Sequence, residues 1–597
     1  MRATNPTALV LYLLMLMGYS AAAMAEPEVN ALPTNGQVQA GDITINQTVT
    51  PDQAVMNINQ ATERGIIHWD SFNVGQQSTV NFNQPSANAV TLNRITTANP
   101  SQIYGQINAN GQIILENSSG IYFSPSAKIE VGGITATTEH ITDDDFNNNI
   151  QHYTETTNAE VHNAGSIHAL ESHVALLAPS VRNEGVILAS KGDVALANGA
   201  EITLQFNDNN RLVKVNTTPS LYNSLVENKL LIEAPGGTII LSATAVNQIN
   251  GGLIRQAGTI NAGSTMNVVK NAAGRILLTS NQVELTQQSQ TLAEGTQQGG
   301  QVEVQAKTIS MAETATVSAS ATENGNGGAV SLVASETLSL SGNIEANAKG
   351  SGNGGQITTQ APQLTITKNL LLSARAGLLG GVRGLWQLNA GSVNLTQDIS
   401  NVIALAMNTT DVNVYANTAL CTNNCLDPSL GSVSMSADSS LRFNGSELAQ
   451  LSIMGSRRFN LYGQIVDETQ NLHLSAAGFG DISADTQSMI TASQVSFVAT
   501  DTIELLGSTT ITGNENQDPL GQFLAANVVV AGLVQTSNSN RGGRLNFLSQ
   551  NFTLAPTGRI RSDSEDTGGD VQITSKVIDL QGYIQANGGS GRGGTVD

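Results

Sequence analysis

The chain has 597 residues, with 26 lysines and arginines against 47 aspartates and glutamates, so its formal net charge is −21. This balance argues against nucleic acid and anionic lipid as partners, because both require a concentrated basic surface. Charged residues make up 12% of the chain and hydrophobic residues 40%, which disfavours both a charge-rich disordered chain and a helical bundle. The two cysteines exclude a disulfide-dense scaffold and a four-cysteine zinc site.

The first 25 residues resemble an export signal rather than part of a fold. Arg2 supplies a positive start, an unbroken apolar run spans Ala8 to Met17, and Ala23-Met24-Ala25 forms a small-x-small cleavage site. The apolar run is short for a bilayer-spanning helix, although a short membrane anchor is the alternative. We therefore expect residues 1–25 to be a signal peptide and the mature chain to begin near Glu26.

Glycine pairs recur at a regular spacing, and each is followed by a β-patterned segment. The pairs begin at Gly299, Gly327 and Gly354, and again at Gly542, Gly568 and Gly593. A shorter repeat places the Asn-x-Gly patterns of Asn163 and Asn183 about twenty residues apart. A period of this length, with two or three short strands and glycine-bearing turns, is typical of one coil of a solenoid.

These repeats predict an all-β fold, a right-handed parallel β-helix with an N-terminal cap and β-hairpin excursions. Alternation within each strand would point Val, Leu and Ile inward and polar residues outward. Stacking at about 4.8 Å favours ladders of Asn, Ser or Thr over ladders of like charge. We expect glycine to supply backbone angles at the corners that other residues disfavour. An array of β-sandwiches is the alternative, but its period would be nearer 100 residues.

The repeat pattern weakens in the middle of the chain and returns at the end. Residues 363–540 keep strand alternation but lack clear glycine pairs, so degenerate coils with excursions are expected there. The last five residues begin a new repeat. We therefore expect the solenoid to continue beyond Asp597, because an open end exposes strand edges and core.

A series of ordered motifs lies between Leu32 and Thr138. The residues that define its blocks are Trp69, Phe72, Gln84, Pro85, Asn93, Arg94, Gly132 and Gly133, and a central short motif contains Asn117, Gly120 and Ile121. In this order they resemble the secretion domain of two-partner secretion exoproteins, the filamentous haemagglutinin family. The family pattern N-P-N-G-I-x-F is matched except that Ser118 and Ser119 replace its proline and second asparagine. The family's N-P-N-L motif is not found.

The resemblance implies an export route and a division of the chain. Residues 26–290 would form the secretion domain, and residues 291–597 a repeat β-helix. The secretion domain would bind the periplasmic domains of a dedicated outer-membrane transporter, which the chain crosses unfolded. The mature protein would then lie outside the cell or on the bacterial surface, having passed through the periplasm.

Other groups of reactive side chains favour structural roles. Five histidines cluster in sequence, at positions 140, 152, 162, 168 and 173, but their spacing does not predict a metal site. Asp143-Asp144-Asp145 lacks the spaced ligands of a calcium loop. No catalytic residue, cofactor site or metal site is predicted. Lys191-Gly192-Asp193 faintly resembles an integrin-binding tripeptide, but it occupies a repeat corner. In an exported chain, a disulfide between Cys421 and Cys425 is expected in preference to metal binding or a redox role.

Three functions are compatible with these features. The first is a secreted or surface-displayed filamentous adhesin or haemagglutinin, which would bind receptors or glycans on host or neighbouring cells. A second is a carrier rod for a cytolysin or contact-dependent toxin beyond the C-terminus. The third is a β-helix polysaccharide lyase or hydrolase, which is disfavoured because no carboxylate cluster recurs beside basic residues at one coil position. The leading expectation is therefore a non-enzymatic adhesin.

Overall fold

The structure is a computed structural model that describes residues 25–246, 251–264, 273–420, 427, 429–514, 517–538 and 541–597. Apart from Ala25, the expected signal peptide lies outside these residues, and so does the expected Cys421–Cys425 disulfide. In the part of the chain that is described, no helix has the length and apolar character needed to cross a membrane.

The chain forms a parallel β-helix, as predicted, with up to three strands per coil and three faces. Strands of the first face are Arg64–Trp69, Val90–Ile95, Gln112–Glu116, Gly133–Thr137, Val174–Leu177, Val194–Asn198, Thr238–Ala243, Arg275–Ser280, Gln356–Ala361, Gly384–Ala390, Thr410–Ala416, Ala449–Gly455, Leu520–Leu524, Arg544–Leu548, Asp570–Thr574 and Thr595–Val596. Strands of the second face are Ser101–Ile103, Ile121–Phe123, Glu160–Asn163, Ser180–Asn183, Leu225–Asn228, Leu253–Gln256, Gln282–Leu285, Gln363–Ile366, Val393–Leu395, Val433–Met435, Arg458–Leu461, Asn527–Val530, Asn551–Leu554 and Val577–Leu580. Four long strands bend across both faces: Gln301–Met311, Ala329–Leu340, Leu472–Ala484 and Gln494–Leu505.

The third face is divided into two sheets by a helix. Its first sheet contains Ala54–Gln60, Ser78–Asn83, Gln106–Ala109, Lys128–Val131, Ser166–Ala169, Val186–Ala189, Leu231–Glu233, Thr259–Asn261, Gln290–Leu292, Thr316–Ser318, Asn343–Glu345 and Leu371–Ser373. Its second sheet contains Ser440–Phe443, Gln464–Asp467, Met489–Ala492, Ser508–Thr512, Leu533–Asn538, Arg559–Ser564 and Tyr583–Gln585. The described chain has a short helix, α1 (Asp143–Asn147), and a longer one, α2 (Gln397–Ala406). Helix α2 takes the place of a strand between the two sheets and buries Val402, Ile403 and Ala406. A short 3-10 helix, Thr418–Leu420, follows in the same coil.

Some antiparallel segments cap the end of the solenoid, and others extend from its side as excursions. Strands Gln37–Ala40 and Ile43–Val49 pair antiparallel with the first strands of the first and third faces, so they end the parallel ladders with a cap. Strands His152–Thr154, Glu201–Phe206 and Leu212–Thr217 form a separate antiparallel sheet beside the short helix α1 (Asp143–Asn147). The expected cap and hairpin excursions are both confirmed.

The strand register explains the repeat spacing. Val302 is the Cα partner of Val330, and Val330 is the partner of Ile357, so one step of the glycine pairs equals one coil. Inward side chains form one continuous core that runs from Leu32 to Val571. One coil cannot bury its own apolar side chains, so this core exists only where coils stack.

Polar ladders follow the same register. In the buried corner after the second face, Asn163 Nδ2 donates to Asn183 Oδ1 at 2.8 Å, Asn183 Nδ2 to Asn228 Oδ1 at 2.8 Å, and Asn228 Nδ2 to Gln256 Oε1 at 2.9 Å. Asn183 and Asn228 each donate to the amide of the next coil and accept from the amide of the previous one. Buried amides therefore remain hydrogen-bonded along four coils.

The glycine pairs have a different cause from the one expected. None of the paired glycines has a positive φ. A Cβ on Gly300 would lie 2.2 Å from Gly274 O, one on Gly328 would lie 2.0 Å from Gly300 O, and one on Gly355 would lie 2.0 Å from Gly328 O. Glycine is required because the backbones of successive coils approach too closely for any side chain.

Candidate functional site

The short motif of the secretion domain is a tight turn between the first and second faces. Asn117 is fully buried, its Nδ2 donates to Asn99 O and Ser101 Oγ at 2.9 Å, and its Oδ1 accepts from Ser119 N at 2.9 Å. The turn closes by a hydrogen bond of 3.0 Å from Gly120 N to Asn117 O, with Gly120 at a φ of +111°. Ile121 then enters the core. These residues shape the turn, since an asparagine side chain that bonds the backbone two residues on stabilises such turns.

The two serines that depart from the family pattern occupy the outer side of this turn. Ser118 is exposed and Ser119 is half-buried. Thr157 Oγ1 donates to Ser118 O at 2.7 Å, a contact that uses only the backbone of Ser118. The serines at these two positions therefore change the surface of the turn and leave its backbone hydrogen bonds intact.

The first block of family residues lies at the capped end. Trp69 is buried, its Nε1 donates to Asn93 Oδ1 at 3.1 Å, and its ring meets that of Phe72 edge-on at 5.6 Å. A Cβ on Gly36 of the cap would lie 2.4 Å from the Trp69 ring. Trp69 therefore seals the end of the core against the cap, and Asn93 satisfies its indole N–H.

Gln84 links three coils. Its Nε2 donates to Gln112 O at 2.8 Å and Thr91 Oγ1 at 3.1 Å, and its Oε1 accepts from Gly111 N at 3.0 Å. Pro85 is exposed and follows the end of the strand. This family block therefore consists of a buried side chain, Gln84, that hydrogen-bonds to neighbouring coils, and an exposed residue, Pro85, in the turn that follows.

Arg94 is the centre of a charged cluster outside the first face. Its Nε donates to Glu116 Oε1 at 3.0 Å and its Nη1 to Asp143 Oδ1 at 2.6 Å. Its Nη2 donates to Ile141 O, and Glu116 Oε1 also accepts from His140 Nδ1 at 2.8 Å. Burial lowers the pKa of Arg94, but Glu116 and Asp143 outweigh it, so the pKa is raised overall. The hydrogen bond to Glu116 raises the pKa of His140. The cluster holds the start of α1 against the solenoid.

A second hydrophobic core lies outside the solenoid, between its first face and the excursions. Side chains that point outward from the first face, including Ile66, Leu92 and Ile114, pack against Tyr153 and Ile202 of the excursions. In the strands beneath this core, side chains do not alternate between buried and exposed positions as expected. All five residues of Gln112–Glu116 and all four of Val174–Leu177 are buried. Unbroken apolar stretches such as Val174 to Leu177 indicate a strand covered on both sides.

The last family block, Gly132 and Gly133, also lies where the backbones of neighbouring coils approach closely. A Cβ on Gly132 would lie 2.5 Å from Gly111 O, and one on Gly133 would lie 3.0 Å from Ser172 Cβ. Gly133 is also the Cα partner of Gln112. Both glycines therefore allow close coil stacking at the start of the first face.

The clustered histidines do not converge. His140 and His152 face Glu116 and Asp145, and His162 Nε2 lies 3.2 Å from Glu184 Oε2. His168 Nε2 contacts Ser190 Oγ at 2.6 Å, and His173 is buried beside Thr135 Oγ1 at 3.1 Å. Within the described ranges, no three His, Cys, Asp or Glu residues are placed to hold a metal ion.

Asp193 of the integrin-like tripeptide is buried and binds Arg211 of the hairpin. Its carboxylate also accepts from the backbone N–H of Leu212 and Thr238. Lys191 is exposed and pairs with Glu171 at 2.7 Å. The tripeptide is therefore a link between solenoid and hairpin, a role that the sequence pattern does not indicate.

The fold, the turn and the blocks together define a β-helical protein whose N-terminal part has the features of an export domain. The TPS secretion domain family matches residues 30–292. Residues 30–292 therefore form a secretion domain of the two-partner secretion class.

Two curated relatives and one solved structure are similar to it. A heme/hemopexin-binding protein of Haemophilus influenzae is 32% identical over 290 residues, which are 47% of this chain and 30% of that protein. A second protein of that description, also from Haemophilus influenzae, is 36% identical over 149 residues, 25% of this chain and 15% of that protein. The crystal structure of the HMW1 secretion domain from Haemophilus influenzae matches with a TM-score of 0.45 and 26% identity, covering 58% of this chain and all of that one. The chain spans less than a third of the length of the curated relatives.

Proposed function

We propose that the protein is a filamentous adhesin, secreted or held on the bacterial surface, that binds receptors or glycans on host or neighbouring cells. The observation that carries this proposal is that the described strands on both sides of residue 290 belong to one continuous ladder. The first-face strands Thr238–Ala243, Arg275–Ser280 and Gln301–Met311 pair in sequence across residue 290. A continuous rod extends a binding surface away from its point of export.

The partner in export would be an outer-membrane transporter whose periplasmic domains recognise the secretion domain. The exposed outer side of the Asn117–Gly120 turn is a suitable recognition element, because the buried amide fixes its shape. Stepwise folding outside the cell would oppose backsliding, since each new coil buries apolar area on the previous one.

An export assay tests the transporter partner. The full chain would be produced in a bacterial host together with the transporter encoded beside its gene. Asn117→Ala removes the buried amide, and Gly120→Val strains a residue at a φ of +111°. Both should reduce the protein in the medium and raise the periplasmic amount. Asn83→Ala, which loses only an exposed amide contact with Asn59, is the matched control. Export of both turn variants at the control level would refute the role of the turn.

A binding assay tests the adhesin. Beads coated with residues 26–597 should adhere to host epithelial or bacterial cells more than beads coated with a non-adhesive protein of similar charge. Soluble residues 26–597 should compete. Adhesion equal to that of the control beads would refute the proposal for this part of the chain.

We also propose that the protein is not an enzyme. On the second face, Arg255 contacts both Glu227 and Glu284, at 3.4 and 3.0 Å. Carboxylates paired in this way favour a structural role over acid–base chemistry. Release of reducing ends or unsaturated sugars from bacterial or host polysaccharides by the purified chain would support the lyase or hydrolase alternative instead. A toxin-carrier role would be tested by the sequence encoded downstream of Asp597.

A further inference from the structure

A cleft of about 420 Å³ lies between the first face of the solenoid and the tip of the hairpin. Its solenoid side contains Arg64 and Gln112, which lie two coils apart because both are Cα partners of Val90. Its excursion side contains Gln151, Phe206 and Asn207. A cleft of this size accommodates a small ligand.

Arg64 brings to this cleft a positive charge that is not ion-paired with any described carboxylate. Its Nη1 donates to Phe146 O at 2.7 Å and its Nη2 donates to Asn149 Oδ1, and its Cζ lies 4.9 Å from the centre of the Phe146 ring. All of these partners are neutral. Throughout the described ranges, no carboxylate lies within ion-pairing distance of Arg64. Burial lowers the pKa of Arg64, and no carboxylate offsets that effect. A half-buried guanidinium without a counter-charge favours an anionic ligand.

Three of the amide side chains that line the cleft have groups that are not hydrogen-bonded to any described residue. The side-chain amide of Gln112 makes no hydrogen bond with any described residue. Gln151 Oε1 accepts from Tyr153 OH at 2.6 Å, which leaves Nε2 free. Asn207 Oδ1 accepts from two backbone N–H groups, which leaves Nδ2 free. Such groups can donate to hydroxyl oxygens or accept from hydroxyl hydrogens.

The aromatic ring of Phe206 and the carboxylate of Asp208 further restrict which ligands the cleft can bind. The Phe206 ring lies 4.9 Å from that of His173, which is buried and uncharged at neutral pH because burial lowers its pKa to about 4. Aromatic rings pack well against the apolar face of a sugar. Asp208 on the rim is exposed, so its charge disfavours a ligand with several negative charges.

We propose that this cleft binds a carboxylate-bearing sugar unit. Arg64 would bind the carboxylate, the amides of Gln112, Gln151 and Asn207 would bind hydroxyl groups, and Phe206 would pack against the ring. The proposal names a sugar class within the glycan binding proposed above, but its test is separate, because titration with free sugars depends on neither export nor cell adhesion.

Calorimetric titration of the mature chain, residues 26–597, tests the proposal. The probes are glucuronic acid and N-acetylneuraminic acid, with glucose as the neutral sugar and inorganic phosphate as the sugar-free anion. At least one acidic sugar should bind at least about tenfold more tightly than glucose, a difference of about 1.4 kcal/mol, and more tightly than phosphate. Equal binding of glucose, tighter binding of phosphate, or no heat from either acidic sugar would overturn it.

Two variants and a control locate the binding. Arg64→Gln should reduce affinity for the acidic sugar by at least about tenfold. Because Arg64 also bonds Phe146 of α1 and Asn149 after it, Gln112→Glu is the second variant: it adds a carboxylate to the cleft and breaks no side-chain hydrogen bond with a described residue. Arg182→Gln removes the same charge from the second face and should bind like the unaltered chain. Unchanged affinity in Gln112→Glu, or an equal loss in Arg182→Gln, would contradict the assignment.

Discussion

Asp193 on the first face binds Arg211 on the hairpin through two hydrogen bonds, from Arg211 Nε at 2.9 Å and from Nη2 at 2.8 Å. The same carboxylate accepts from Leu212 N at 2.8 Å and from Thr238 N at 2.7 Å. Thr238 belongs to the next coil, so one buried side chain connects the hairpin to two coils of the solenoid. The hairpin in turn covers the outer core and one side of the cleft.

Replacing Asp193 should loosen the hairpin. Asp193→Ala leaves the guanidinium and two N–H groups without their acceptor, and it should lower the local unfolding free energy by about 2–4 kcal/mol. Hydrogen exchange of residues 201–217 measures this effect locally, which suits a repeat protein whose unfolding need not be two-state. Lys191→Ala breaks only the exposed pair with Glu171 and should cost less than about 1 kcal/mol. Equal protection of the hairpin in the two variants would contradict the prediction.

Alanine should be tolerated at a glycine of the solenoid only where space allows it. A Cβ on Gly327 would lie 2.1 Å from Ala346 O, whereas one on Gly480 would have its nearest contact at 3.1 Å, from Arg457 O. Gly327→Ala should therefore force the coils apart and lower the melting temperature, at a cost of about 2 kcal/mol or more. Gly480→Ala should lower it less. A melting temperature for Gly327→Ala equal to that of Gly480→Ala would show that the coils can shift at Gly327.

His173 should make the fold less stable in acid. Burial lowers its folded pKa from 6.5 to about 4, so between these values the unfolded chain binds a proton that the native chain does not. Stability should then rise with pH across this window, by about 3 kcal/mol in total. Urea unfolding at a series of pH values measures the slope, and His173→Gln should flatten it. An identical slope in the variant would exclude His173 as its source.

Glu139 should have the opposite effect at higher pH. Burial first, and then the charge of Glu155, raise its folded pKa from 4.5 to about 8. The native chain therefore keeps a proton that the unfolded chain has lost, and stability should fall as pH rises through this window. Glu139→Gln keeps the shape without the titration, so it should be more stable than the parent by about 2–4 kcal/mol at pH 8 and similar to it near pH 4.5. A variant that is less stable at pH 8 would show that the carboxylate is needed in its charged form.

The solenoid and its period could be predicted from residues such as Gly327 and Val330, because a coil contacts only its neighbours and the pattern of each coil appears directly in the sequence. The outer core could not be predicted in the same way. Residues 152–154 and 201–217 are separated by two coils, and no local pattern indicates that they meet. The reason for the glycine pairs was also misjudged, because the distance between stacked backbones is not a property of one segment.

Sequence alone determined the class of fold, since the pattern of each coil depends on residues that lie close in the chain or one repeat apart. The export domain and the motif at Asn117 were recognised in the sequence by resemblance to a known family. The tertiary structure alone decided that Asp193 is a buried anchor, that Arg94 holds α1, and that Arg64 and Phe206 face one cleft. The physical reason is the excursion sheet: it brings together residues from non-adjacent coils, and charge balance, burial and pKa depend on which groups meet in space.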